Sequence, residues 1–291
     1  MLDIDLAQLE ALGAAVAEGT FDAAARRLHV TPSAISQRVK ALETSVGRVL
    51  LTRSKPVTPT PSGQVLLRLA RQIHTATAEV ARELGDGDAA GAAVVALAVN
   101  ADSLATWLLP AFAALRTTVV FDLQRDDQDR TTDLLRQGAV MAAVTSMAEA
   151  VPGCSAERLG KMRYQPVASK EFTETWFGGG VTVAALSRSP LVVFDRQDRL
   201  QDAYLRRRAR RPLNPPRHYI PGSDAFVAAV RLGLGWGMVP DLQRGPGDGL
   251  VDLDAQGGVD VSLYWQQWRL RSPTLERVAA EVRRAAASAL R

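Results

Sequence analysis

The chain has little of what disulfides, metal sites and nucleophilic catalysis need. It contains one cysteine, Cys154, and three histidines in 291 residues. A single thiol excludes a disulfide within the chain, and so few cysteines and histidines argue against a structural zinc site. His29 and His74 fall in the N-terminal part, which leaves His218 as the imidazole of the remaining chain. Because no acid–base or nucleophilic group can be assembled around Cys154, we do not predict an enzyme.

Long apolar runs are also missing. No stretch approaches the ~20 residues that a membrane-spanning helix needs. The first twenty residues carry acids where an export signal has cations. A lone thiol fits a reducing compartment, so the sequence predicts a cytoplasmic protein without membrane association. At 291 residues, 47% of them hydrophobic, the chain is long enough for two or three compact units.

Charge is nearly balanced overall but not locally. The sequence has 35 basic and 31 acidic residues, a net charge of +4. Between residues 26 and 71 the only acid is Glu43, and the basic residues there are Arg26, Arg27, Arg38, Lys40, Arg48, Arg53, Lys55, Arg68 and Arg71. Such a field attracts a polyanion and predicts salt-dependent binding. The alternative is a charged surface that contacts only solvent. The helix pattern in the same residues favours nucleic acid as the binding partner.

A helix suited to a groove of DNA is predicted over residues 31–43. Thr31 supplies an N-cap oxygen, and Pro32 occupies the first helical position, where its missing N–H is no loss. Apolar residues recur at helical spacing on one face. The opposite face carries side chains of the kind that reach base edges and phosphates: Ser33, Ser36, Gln37, Arg38 and Lys40.

A second helix, residues 21–28 with Thr20 as its cap, precedes a tight connection to this one. With an earlier helix near residues 6–16 the pattern predicts a helix-turn-helix. Residues 49–60 then alternate apolar and polar, which predicts a β-hairpin wing. We predict base contacts for Ser33, Ser36, Gln37 and Arg38, and phosphate or groove-edge contacts for Thr31, Lys40, Arg53 and Lys55.

These segments resemble the DNA-binding domain of LysR-type transcriptional regulators. The resemblance rests on residues 18–28 (EGTFDAAARRL), 32–38 (PSAISQR) and 60–63 (TPSG). Leu51 and Pro59, where Phe and Leu are commoner, are similar to the ArgP/LysG branch of that family. The resemblance implies control by a small effector, L-lysine or L-arginine, with no other cofactor, and activation of an amino acid exporter. It also implies duplex DNA as partner, a homodimer or tetramer, and RNA polymerase as a further candidate partner.

Residues 61–85 predict one long helix that links two domains. Its apolar positions alternate in spacings of four and three, as in a heptad seam: Leu66, Ala70, Ile73, Thr77, Val80 and Leu84. After a domain of about sixty residues, such a helix has little of its own chain to pack on, so we predict dimerisation through it. The alternative is a core helix covered by the following domain.

Strand and helix patterns alternate through the rest of the chain, which predicts an α/β fold. Strands are predicted at residues 93–99, 119–123, 140–145, 166–168, 191–194, 218–220, 237–239 and 261–265. Helices are predicted at residues 103–115, 131–137, 181–186, 200–208, 225–232 and 274–290. The family resemblance implies a two-lobed effector domain like a periplasmic binding protein, with crossovers near residues 163–165 and 265–268. The predicted domains are 1–60 (winged helix-turn-helix), 61–85 (linker helix), 91–164 with 266–291 (lobe I) and 165–265 (lobe II).

Ligands of open α/β sheets bind beyond the carboxyl ends of the strands. That rule selects eight candidate effector contacts: Asp102, Ser103, Trp107, Asp127, Thr145, Ser146, Asp195 and Asp224. A basic amino acid needs one niche for its carboxylate and acidic groups for its cationic ends. Each Asp has an alternative interpretation as a helix cap or as part of a solvated loop.

Three other patterns in the sequence resemble binding sites. The glycines of residues 233–237 follow a helix and lead into a strand, the reverse of a dinucleotide loop. Trp265 and Trp268 are expected to pack at a crossover, although a stacking platform for bases is the alternative. The cationic run 206–211 is expected to be a solvated helix end, with an extra DNA or subunit contact as the alternative. A solute-binding protein or an α/β enzyme remain rival classes.

Overall fold

The computed structural model describes residues 4–52, 54–83, 92–125 and 128–291. Its N-terminal unit is built on three helices, α1 (Leu6–Ala17), α2 (Phe21–Arg27) and α3 (Pro32–Val46). Both predicted caps are confirmed, since the hydroxyl oxygens that cap α2 and α3 each accept a backbone N–H at 3.2 Å. Apolar side chains of all three helices form one buried core.

The turn between α2 and α3 is tight because His29 adopts a left-handed backbone, with φ of 54°. The next residue, Val30, donates its N–H to the carbonyl of Ala25 at 3.0 Å, which closes the end of α2. α3 ends at Gly47, which also takes a left-handed conformation, φ 69°. The left-handed conformations of His29 and Gly47 set the directions in which the chain enters α3 and leaves it towards the wing.

The predicted wing is present as a short antiparallel pair, β1 (Leu51–Thr52) and β2 (Thr58–Pro59). The carboxylate of Glu43 accepts the backbone N–H of Leu50 at 2.8 Å. The lone acid of the basic region therefore holds the start of the wing to α3, and in the described part of the chain its partner is backbone.

The linker helix α4 (Pro61–Glu83) follows the wing directly. Leu66 and Leu67 are buried in the N-terminal core together with side chains of α1. The expectation that this helix has little of its own chain to pack on is therefore wrong for its first half. Leu66 in particular is not free to contact a partner, because only 7% of it is exposed.

Further along α4 the predicted seam becomes accessible. Ala70 and Ile73 are half-buried against the same core, whereas Thr77 and Val80 are exposed. Leu84 lies outside the described residues. Dimerisation through this helix therefore stays a prediction, and it concerns the second half of the helix.

A seven-stranded sheet organises the rest of the chain. Its strands are β3 (Ala93–Val99), β4 (Val119–Arg125), β5 (Ala142–Thr145), β6 (Cys154–Ser169), β9 (Gly237–Pro240), β10 (Leu250–Asp252) and β11 (Val259–Trp268). Their order is β10-β6-β11-β5-β3-β4, and β9 pairs with β6. A parallel pair, β7 (Leu191–Val193) and β8 (Arg217–Tyr219), lies apart from this sheet. Mixed pairing with helices between the strands confirms the predicted α/β class.

Eight helices accompany these strands in the described part of the chain. They are α5 (Ala101–Ser103), α6 (Leu109–Ala113), α7 (Gln128–Arg136), α8 (Lys170–Phe177), α9 (Val183–Leu186), α10 (Leu200–Ala209), α11 (Ser223–Arg231) and α12 (Pro273–Ala289). The apolar side of α12 joins the largest core cluster. Among the described helices, none combines the length and apolar character needed to cross a membrane.

Two predicted elements differ from the structure. The helix expected at 103–115 runs from Ala101 to Ala113 and contains a π-helical turn, Leu104–Leu108. Pro110 has no N–H to continue an α-helical ladder, so the turn before it widens. The strand expected at 166–168 is the end of the 16-residue strand β6. α8 and β10 were not predicted.

The long strand β11 pairs along its whole length with residues 154–164 of β6, and the two strands join the two parts of the sheet. Their register shifts between Leu263 and Tyr264, opposite Gly160. After the shift β11 also pairs with β5, whereas the other end of β6 pairs with β9. Both predicted crossovers fall inside these strands. The boundaries of the two lobes stay a prediction.

Candidate functional site

The exposed side of α3 carries the predicted DNA-reading residues. Ser33, Gln37 and Lys40 are exposed, and Ser36 and Arg38 are half-buried. The apolar side of the same helix is buried in the N-terminal core. The helix therefore presents hydroxyl, amide and cationic groups to solvent on a rigid element, as base reading in a groove requires.

Three of the four predicted phosphate or groove-edge contacts lie in the described residues, and one of them is Lys40 on α3. The Thr31 hydroxyl accepts the N–H of Ala34 at 3.2 Å and lies 2.9 Å from the Ser33 hydroxyl, so it has a capping role as well. Lys55 is exposed in the loop of the wing. Arg53 lies outside the described residues.

A cavity of about 90 Å3 lies where the end of β3 meets β6 and the start of α10. Its wall is formed by Asn100, Ala101, Asp102, Tyr164, Phe194, Asp195, Gln197, Asp198, Leu200, Phe226, Met238 and Pro240. These residues come from both predicted lobes. The rule that ligands bind beyond the carboxyl ends of strands selected Asp102 and Asp195, and both residues line this cavity.

Asp102 connects three segments of the chain at this cavity. Ser223, the first residue of α11, donates its hydroxyl to Oδ1 of Asp102 at 2.5 Å, and the Tyr164 hydroxyl donates to Oδ2 at 2.8 Å. Burial raises the pKa of the Asp102 carboxyl, and the two hydrogen bonds oppose that rise. Burial, and then the nearby Asp102, raise the pKa of Tyr164 well above its usual value. The phenol thus stays a donor to the carboxylate.

Asp198 is a second acid on the wall, and sequence reasoning missed it. Its carboxylate accepts the N–H of Leu200 at 2.9 Å and the N–H of Phe194 at 3.2 Å. Burial raises its pKa more than these bonds lower it. The available signal was its position at a strand-to-helix connection, three residues after Asp195.

Asp195 lies on the wall but is committed to its own turn. Its Oδ1 accepts the N–H groups of Gln197 at 2.6 Å and of Asp198 at 2.8 Å. Such a turn is the alternative role that the sequence left open for each Asp. Asp195 is nevertheless the third acidic residue among those that line the cavity.

Five other predicted effector contacts lie away from the cavity wall. Ser103 and Trp107 are buried, Trp107 in the main hydrophobic core. The Thr145 hydroxyl accepts the N–H of Met147 at 3.2 Å, next to Ser146. Asp224 is exposed and 3.4 Å from the side-chain nitrogen of Gln243. None of these five lines the cavity, so their contact with the effector stays a prediction. Asp127 lies outside the described residues.

Cys154 is buried at the start of β6, and burial raises the pKa of its thiol to about 11. A thiol with this pKa is protonated at neutral pH and is a poor nucleophile. Trp265 and Trp268 are buried in hydrophobic clusters, so they are packing residues rather than a platform for bases.

Comparison with known proteins finds relatives that match nearly the whole chain. The bacterial regulatory helix-turn-helix domain of the lysR family matches residues 6–64, and the LysR substrate binding domain matches residues 88–287. The crystal structure of ArgP from Mycobacterium tuberculosis is 44% identical and superposes with a TM-score of 0.93, covering 99% of each chain. Full-length LysG from Corynebacterium glutamicum with bound effector Arg is 35% identical, with a TM-score of 0.82 over 99% of this chain and 100% of that one. The lysine export transcriptional regulatory protein LysG of Corynebacterium efficiens is 40% identical over 97% of this chain and 98% of its own.

The chain belongs to the LysR family of DNA-binding transcriptional regulators. Within that family its relatives are regulators named LysG and ArgP, which confirms the predicted branch.

Proposed function

We propose that this protein is a LysR-type regulator whose effector is a basic amino acid, L-arginine or L-lysine. The observation that carries the proposal is a pair of partly buried carboxylates, Asp102 and Asp198, on the wall of one cavity. Burial raises both pKa values, so each anion is incompletely compensated by the protein. A ligand with two cationic ends supplies the missing charge, and a neutral amino acid supplies half of it.

The start of α11 is the proposed position for the α-carboxylate of the ligand. Gly222, which precedes the helix, has no side chain to cap it, and Phe226 of its first turn lines the cavity. Free backbone N–H groups at a helix N-terminus favour an anion. The effector would then touch both predicted lobes and stabilise one arrangement of them.

On the DNA side we propose that Ser33, Ser36, Gln37 and Arg38 read bases. Thr31, Lys40, Arg53 and Lys55 hold phosphates or groove edges in this proposal. Two copies joined through the second half of α4 would present two reading helices to one duplex. The spacing between them is the quantity that the effector would change.

The target is proposed to be an amino acid exporter gene, activated in the cytoplasm when the effector accumulates. Support comes from the C. efficiens relative, which is a lysine export regulator by name. Activation would require RNA polymerase as a further partner. Gel shift with the DNA upstream of the protein's own gene tests the DNA side of the proposal.

A thermal-shift screen tests the effector. We expect arginine and lysine to raise the melting temperature, and leucine and glutamine to leave it unchanged. The side chain of histidine is mostly neutral at pH 8, so the response to histidine shows whether the site requires a charged side chain or only one of similar shape. A clear response to an uncharged metabolite, with none to the cationic amino acids, would remove the effector assignment and leave the family unaffected.

A further inference from the structure

The end of α10 carries the second cationic region of the molecule. Residues 196–217 contain eight arginines and no lysine, against Asp198 and Asp202, a net charge of +6. The whole chain has a net charge of only +4, so the remainder is net negative. The positive charge is therefore concentrated in this segment and in the basic region of residues 26–71, and is not part of a generally basic surface. We define the arginine surface as Arg206, Arg207, Arg208, Arg210 and Arg211, all of which are exposed.

Local structure accounts for part of this surface. Arg207 donates to the backbone carbonyls of Gly257 and Gly258, and Arg208 donates to the carbonyl of Val181 at 3.0 Å. Carbonyl partners orient a guanidinium without neutralising it. Arg208 also lies 3.5 Å from the Asp254 carboxylate. Among the described residues, it is the one arginine of this surface that has a carboxylate partner.

Helix capping explains the first three arginines but not the last two. Cations in the final turn of α10 are favoured by the helix dipole. Arg210 and Arg211 lie after α10 has ended at Ala209. Arg210 moreover takes a left-handed backbone, φ 54°, at a position where glycine is the favoured residue. A strained backbone retained with a cationic side chain points to a use for that side chain.

We propose that the arginine surface is a second contact for the DNA backbone, outside the segment read by α3. Guanidinium groups bind phosphate oxygens in a bidentate geometry, which explains arginine without lysine. A protomer already bound through its reading helix holds the flanking duplex at high effective concentration, so a weak contact suffices. The site takes phosphates of any sequence, and its contribution depends on salt.

The test compares two duplexes from the DNA upstream of the protein's own gene. One is trimmed to the segment that the wild-type protein protects, and the other is the same segment extended at both ends. The variant is Arg210→Gly with Arg211→Ala, which removes two cations and gives the helix end its favoured residue. We expect the slope of log Kobs against log salt to flatten by about 1.8 on the extended duplex, for two lost phosphate contacts, and to stay unchanged on the trimmed one.

The matched control is Arg271→Ala with Arg277→Ala, which removes the same charge from exposed positions beside and on α12. This control should leave both slopes as in the wild type. Unchanged slopes for the α10 variant on both duplexes would overturn the proposal, as would equal flattening on both. Intact DNA binding with lost activation of transcription would assign the surface to an acidic protein instead and would also overturn it. A wild-type protein that binds neither duplex would contradict the DNA-binding function itself.

Discussion

We expect single residues of the DNA-reading head to divide into those that specify sequence and those that add affinity. Gln37 is exposed on α3, and an amide can bond two edges of one adenine. Gln37→Ala should therefore lower discrimination between specific and random duplexes by about 1–3 kcal/mol. Lys55→Ala, in the wing, should weaken binding to all sequences and flatten the salt slope by about 0.9. Competition gel shifts at several salt concentrations measure both effects, and equal losses on specific and random DNA for both variants would refute this division.

We expect Asp102 to affect both the affinity for the effector and the stability of the protein. Asp102→Asn keeps the shape of the side chain, and Asn can still bond both Ser223 and Tyr164. It removes a charge-assisted bond to the ligand, worth about 1.5–3 kcal/mol, so arginine affinity should fall roughly 10- to 100-fold. Isothermal titration measures the change. Asp122→Asn, at an exposed position of β4, is the matched control and should bind arginine as the wild type does.

The same substitution should stabilise the effector-free protein at neutral pH. Burial raises the folded-state pKa of Asp102 above its ordinary value of 3.8. Its contribution to the free energy of unfolding is therefore fully present below 3.8 and is lost as pH rises through the folded-state pKa. Asp102→Asn removes the titrating group, so the variant does not lose this stability as pH rises. Denaturant unfolding should show the variant more stable than the wild type at pH 7, with the gap closing as pH falls; a gap that is constant with pH would contradict this origin.

At the scale of elements, the junction of wing and linker helix depends on one glycine. A Cβ built on Gly63 would lie 2.0 Å from the carbonyl oxygen of Leu50, so any side chain must displace backbone. Overpacking of this kind costs about 1–3 kcal/mol, and we expect Gly63→Ala to destabilise the N-terminal unit at the upper end of that range. Gly13→Ala, in α1, meets no atom within 4 Å and should instead stabilise. Urea unfolding measures the free energy of unfolding of both variants. A change of the same sign in both would contradict this expectation.

Which elements could be predicted depends on whether their signals are local. Caps and periodicity within a few residues determine α2 and α3, so Thr20, Thr31 and Pro32 sufficed to find them. β6 was found only at its end, because charged residues such as Glu157 and Arg163 interrupt its apolar pattern. Its length is set by pairing with β11, about a hundred residues away in sequence. Non-local pairing of this kind leaves no signature in the strand itself.

The same distinction applies to the effector site at the scale of the whole molecule. Asp102 and Asp195 follow strands directly, so a rule about sheet edges found them. Tyr164 reaches Asp102 from within a strand, across 62 positions of sequence, and no local pattern marks it. Trp107 lies within the π-helical turn and is buried in the main core rather than on the cavity wall, and no local pattern in the sequence marks that turn. The fold class was thus predictable to a greater extent than the wall of the cavity.

The linker helix joins the DNA-reading head to the effector domain within one chain, and we expect it to carry the signal between them. Arg71 of α4 donates to the backbone carbonyl of Gln137, between α7 and β5, at 3.1 Å. Beside it a Cβ on Gly138 would lie 2.9 Å from the Cα of Arg68, so the two backbones are in close contact. This is a direct link between α4 and the effector domain within one chain.

Arg71→Met keeps the apolar stem of the side chain and removes the bond to Gln137. We expect arginine to bind with unchanged affinity, because Arg71 is not on the cavity wall. The ratio of DNA affinities with and without arginine should fall towards one, from the roughly 5- to 150-fold typical of coupled sites. Titration calorimetry and gel shifts on the same preparation measure the two quantities, and His74→Ala, exposed one turn further along α4, is the control. An unchanged ratio would show that the signal reaches the head by another route, such as the dimer partner.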